Sequence, residues 1–233
     1  MVQAFVRYHL VLPEGGREAC MNDSDNHWLE RGSELERTVF FSDAVFAIAI
    51  TLLALEIQVP QIPADSAAAL LPSALLSLWP KFFSFLISFW VVGNYWLAHH
   101  RTFHYIGGYD RGLLLINLLF LMWIVLLPFS SSLVGEYGNQ QIVAIIYAVH
   151  IVVAGLTLSW VWWHASREPG LLDTSRVNPR EFRYNQLRAL AVPLIFLLSI
   201  GVSFLSVWAT QVLWCLAFLI RPVLLRILRY STR

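Results

Sequence analysis

Residues Arg37–Pro60 read RTVFFSDAVFAIAITLLALEIQVP. Val39–Val59 within it has the length and apolarity of a bilayer-crossing helix, which needs about 20 such residues. The PQIP that follows stops it. Asp43 lies inside this segment. A charged Asp deep in a bilayer costs about 2.5–3.5 kcal/mol, so it normally faces protein or water and finds a partner. Its place near the start of the span also fits simple wetting at the membrane edge.

Helical geometry divides the segment into two faces. With Ile48 at zero and about 100° per residue, Leu52, Leu55, Val59 and Phe41 fall within about 40° of it. Thr51 flanks this stripe at about 60°, Asp43 is nearly opposite, and Ser42 lies well off it. One face is therefore a column of apolar side chains, and the other carries a hydroxyl and a carboxylate. Ordinarily the apolar face meets lipid and the polar face a neighbouring helix.

The rest of the chain agrees with a membrane setting. Of 233 residues, 58% are hydrophobic and 13% charged, and mean hydropathy is +0.61. Soluble domains carry about 25% charged residues, so a soluble globular domain, a disordered chain and a disulfide scaffold are excluded. The net charge of +1 gives no field for nucleic acid. Cys20 and Cys215 form no framework. Residues 1–36 are a polar N-terminal tail without a signal-peptide pattern. Met21 opens a second start, MNDSDNHWLERGSELER, so residues 1–20 are read as an upstream extension.

Further spans are expected at Phe82–Ala98, Leu113–Phe129 and Ile142–Trp163. Ala67–Trp79 reads as an interfacial helix or the outer end of the second span. Ala189–Ile220 is long for one span and short for two. It is read as two helices, about 187–206 and 209–228, turning at WATQ. Charge placement decides this choice. With the N-terminus in the cytosol and six crossings, all 15 arginines fall inside and Lys81 alone falls outside. Five crossings would put Arg221, Arg226, Arg229 and Arg233 outside. The expectation is an all-α membrane protein with six transmembrane helices per subunit. Residues 37–230 form the membrane domain, and both termini are cytoplasmic.

Arg37-x-x-x-Phe41-Ser42-Asp43, followed by AVFAIAITLL, resembles the opening of the transmembrane protein 175 family of endosomal and lysosomal potassium channels. Trp96-x-x-His99 with Arg101, then Asn117 and Leu127-Pro128-Phe129, resemble its downstream elements. The likeness covers about 37–130 at motif level. It implies a bacterial single-repeat subunit in the plasma membrane, a homotetramer with the pore lined by the first helix, and K+ as permeant ion without a cofactor. It implies a hydrophobic constriction at Ile48, with Leu52 and Leu55 as further rings, and a selectivity hydroxyl at Thr51. It also implies an inter-helix network of Arg37, Ser42 and Asp43 with Trp96 and His99. The apolar stripe would then face a symmetry axis rather than lipid, where hydrophobic constrictions gate by dewetting. Glu56 would sit at the outer mouth, attracting cations or simply solvated.

Other constellations weigh less. His100 and His104 have a metal-compatible i, i+4 spacing but no third ligand, so no metal site is expected. His150 reads as a packing histidine, and Asn117 as inter-helix glue. Ser42, Asp43 and His99 do not make a hydrolase, because adjacent residues on a helix point about 100° apart and no oxyanion loop accompanies them. The alternative to a channel is a cation- or proton-coupled secondary transporter with Asp43 as its ion site, although neither paired repeats nor broken helices appear.

Overall fold

The computed structural model describes the backbone of residues 23–173 and 179–216, with side chains over 34–173 and 190–216. The described residues are helical almost throughout. The helices are α1 (Asp23–Leu55), α2 (Ala67–Ser77), α3 (Trp79–His104), α4 (Arg111–Tyr137), α5 (Gln141–Arg167), α6 (Pro179–Ser203) and α7 (Val207–Leu216). Four segments are long and apolar enough to cross a membrane: Glu34–Leu55, α3, α4 and α5. Leu190–Ser203 and Val207–Leu216 are shorter apolar helices.

The structure refines the expected boundaries in three places. First, α1 begins at Asp23, well inside the region read as a polar tail, and runs unbroken for 33 residues. No Gly or Pro interrupts it except Gly32, and one Gly costs a helix only about 1 kcal/mol. Second, of the two readings of 67–79, the separate helix is the one found: α2 is divided from α3 at Leu78, where Trp79 and Pro80 open the next helix. Third, the turn in the last apolar stretch falls at 204–206, not at WATQ. Ser206 is its chemical reason: its Oγ accepts the Ala209 N–H and starts α7. The expected end of the last helix, residues 217–228, lies outside the described residues. Pro128 does not stop α4, which continues to Tyr137. Pro is tolerated in membrane helices because neighbours re-satisfy the backbone.

α4 is the hub. It packs on α1, α3 and α5, and α5 packs on α6. Among helices α1 to α6, α1 packs on α3 and α4. Lipid removes most of the hydrophobic drive between helices, so close fit and hydrogen bonds hold them. Phe46, Ala49 and Leu53 of α1 enter a core with Val91, Tyr95 and Phe120. The closest fit joins α5 to α6. A Cβ on Gly155 would lie 2.2 Å from Pro193 Cγ, so only glycine fits there.

A second cluster closes the end where α3, α4 and α5 meet their loops, with Phe103, Leu113, Ile116, Val161 and Leu171. The two loops pair across it. Gly107 and Gly108 N–H groups donate to the Leu171 carbonyl, and Asp173 N–H donates to the Tyr105 carbonyl. Gly170, at φ +84°, makes the turn that delivers Leu171.

Candidate functional site

The site is built where α1 leans on α3 and α4. Ser42 is fully buried, and its Oγ donates to the Thr38 carbonyl at 2.8 Å. That bond uses the only hydroxyl hydrogen, so Ser42 Oγ must accept from Asn117 Nδ2 at 3.0 Å. The Asn117 carbonyl oxygen is thereby turned to His99, whose Nε2 donates to it at 3.0 Å. One chain of hydrogen bonds thus runs from α3 through α4 to α1, and its direction is set at Thr38. His99 is packed among rings, with Phe103 at 4.3 Å and Phe46 and Phe120 at 5.7 and 5.8 Å.

Asp43 has a separate partner. Its Oδ1 accepts the Trp96 indole N–H at 2.9 Å. Trp96 and His99 are one turn apart on α3, so α3 holds Asp43 with one residue and reaches Ser42 with the other. Asn117 is the member that the motif reading left outside the network. Its signal was its residue type, an amide in an otherwise apolar helix. Arg37 is not brought into this group. Its Nη1 pairs with Glu34 Oε1 at 3.0 Å on an exposed face. Six residues before Asp43, it points about 120° away from it.

The remaining site residues lie on the opposite face of α1. Ile48 is 57% exposed, Leu52 38% and Leu55 71%, whereas Phe46, Ala49 and Leu53 are each 1% exposed. Ser42, Phe46, Ala49 and Leu53 follow the 4–3–4 spacing of a packed face, the side that Ser42 and Asp43 make polar toward its N-terminal end. Thr51 is exposed on the free side, and its Oγ1 donates to the Ile48 carbonyl at 2.8 Å. With its hydrogen so engaged, the hydroxyl turns oxygen lone pairs outward. Glu56 falls in the turn after α1 and is half-buried.

Two further buried polar groups brace the outer helices. His150 Nε2 donates to the Trp123 carbonyl at 2.7 Å, and its Nδ1 meets Ser130 Oγ at 2.8 Å. Ser88 Oγ bonds Ser131 Oγ and the Tyr147 hydroxyl, each at 2.8 Å. These contacts hold helices together, as the packing reading of His150 expected. Where α4 begins, Asp110 Oδ1 accepts the Leu113 N–H at 2.7 Å as an N-cap. The same carboxylate meets His164 Nε2 at 3.0 Å. Partial desolvation pushes the Asp110 carboxyl up, but the Leu113 N–H and His164 outweigh it and hold it below its ordinary value.

These features define a polytopic helical membrane protein whose first helix is anchored by polar contacts on one side and left uncovered on the other. Residues 37–128 match the family model described as "Endosomal/lysosomal potassium channel TMEM175". A protein of Streptomyces collinus named a potassium channel is 36% identical over 75% of this chain and 84% of its own length. Another potassium channel by name, from Chamaesiphon minutus, is 36% identical over 76% of this chain and 87% of its own. The crystal structure of a lysosomal potassium-selective channel TMEM175 homologue from Chamaesiphon minutus superposes with a TM-score of 0.68 at 35% identity. It covers 80% of this chain and 95% of that one. The chain belongs to the TMEM175 family. The family is one of ion channels, and the protein is an integral membrane protein, not an enzyme.

Proposed function

We propose that this chain is one subunit of a homotetrameric, potassium-selective cation channel with six spans per subunit. Ile48, Leu52 and Leu55 of α1 form the constriction around the symmetry axis. The observation that carries this reading is the division of α1 into a tightly packed face and an uncovered one. The residues left uncovered include the apolar column with Thr51 beside it, together with Phe40, Ala44, Ala47 and Ala54. Relatives named potassium channels across most of the chain support the permeant ion. A single α1 encloses nothing, whereas four copies of its free face enclose a passage narrow enough to dewet.

Potassium, larger than sodium, sheds hydration water more readily, so a tight apolar ring favours it. The outward lone pairs of Thr51 replace part of the lost hydration in each of four subunits. Ser42, Asp43, Trp96, His99 and Asn117 hold the back of α1, so that its front keeps one radius. The arginine bias supports both termini in the cytosol, and the single-repeat length supports a bacterial plasma membrane. Purified protein in planar bilayers tests the reading. Wild type is expected to give unitary potassium currents, and Ile48→Asn to raise conductance by wetting the constriction. Unchanged conductance in Ile48→Asn overturns the placement of the constriction.

A further inference from the structure

The free face of α1 does not end at Phe41. Counting back from Ile48 at about 100° per residue, Phe41 lies about 20° away, Arg37 about 20° on the other side, and Glu34 about 40° away. Both charged side chains are open to solvent, at 77% and 46% exposure, and form an ion pair of 3.0 Å. Glu36, by contrast, lies about 120° from Ile48.

An exposed i, i+3 pair adds little to helix stability. Its position gives it a different consequence. If the free face of α1 surrounds an axis, each Arg37 stands at the N-terminal mouth, one guanidinium per subunit, in the path of a cation. Four positive charges at a narrow entrance lower the local cation concentration and slow entry. Glu34 stands on the same side of the helix and bonds the same guanidinium. We infer that Glu34 neutralises Arg37 at the N-terminal mouth, and that the net charge of this pair sets potassium throughput. The inference rests on the axial reading of α1 and adds a conductance-determining residue to it.

Single-channel conductance of the full-length protein, read at 0.1 M and 1 M KCl, tests it. Glu34→Gln bares the guanidinium and is expected to lower conductance several-fold at 0.1 M. The loss shrinks at 1 M, because the screening length falls from about 10 Å to about 3 Å. Arg37→Gln is expected to raise conductance at 0.1 M, and the double variant to return close to wild type. Glu34→Asp keeps the charge and is expected to keep the conductance. Should Glu34→Gln not assemble, Arg37→Gln alone decides: a rise supports the inference and no change overturns it. Equal losses in Glu34→Asp and Glu34→Gln mean that packing rather than charge is at work, and also overturn it. Wild-type conductance in both single variants while Ile48→Asn differs sinks this inference and leaves the axial reading standing. If Ile48→Asn is silent as well, the axial reading fails and takes this inference with it.

Discussion

The carboxylate of Asp43 receives the indole N–H of Trp96 at 2.9 Å, joining the middle of α1 to α3. Side-chain hydrogen bonds inside membranes average about 0.6 kcal/mol and reach about 1.7. Trp96→Phe keeps the ring and removes the donor. It is expected to destabilise by an amount in that range, read as a lower thermal midpoint in detergent. Asp43→Asn keeps an acceptor oxygen and is expected to cost less than Asp43→Ala. Asp43→Ala is expected to reduce assembly, measured by mass in solution, more than it alters the potassium-to-sodium ratio of the assembled fraction.

Asn117 serves two helices at once, so its loss strands a partner on each. Asn117→Leu is expected to be more harmful than Ser42→Ala, by about 1–3 kcal/mol, the cost of leaving buried polar groups unpaired. Thermal unfolding of the two variants side by side checks the order. Equal losses would mean that the Asn117 bond to His99 adds nothing to its bond to Ser42.

Thr51→Ala removes the outward oxygen without touching the packed face of α1. It is expected to lower the potassium-to-sodium permeability ratio, measured by reversal potentials under bi-ionic conditions, while stability stays within about 0.5 kcal/mol of wild type. An unchanged ratio would remove Thr51 from the selectivity layer.

The Asp110 carboxyl is held below its ordinary value in the folded protein. A depressed carboxylate contributes stability that is fully present above its unfolded pKa and is lost as pH falls through the folded value. The wild-type melting midpoint is therefore expected to fall more steeply than that of Asp110→Asn as pH drops below about 4. Parallel curves would contradict this. Asp110→Ala, which also loses the cap, is expected to cost about 1 kcal/mol at neutral pH.

Much of this arrangement was legible before any coordinates. Long apolar runs announced the four segments long and apolar enough to cross a membrane, because bilayer thickness acts on composition alone. The uncovered column Phe41, Ile48, Leu52 and Leu55 followed from a fixed angular step. What stayed hidden depended on partners distant in the chain. Ser42 and Asp43 marked the side of α1 that meets protein, but nothing local says which residues of α3 and α4 receive Phe46, Ala49 and Leu53. Asn117 becomes the centre of its network only when α1 and α3 arrive on either side of it. The turn at 204–206 escaped because a polar WATQ outweighs a lone Ser206, until the Ala209 N–H shows which hydroxyl caps the helix.

The pairing of the 105–108 and 171–173 loops has a mechanical result. It fastens the α3–α4 corner to the chain leaving α5, so these helices turn as a single frame. Among the described residues, α1 packs on that frame through α3 and α4. In the proposed channel, a change of α1 position relative to that frame is therefore expected to work against the Trp96–Asp43 and Asn117–Ser42 hydrogen bonds.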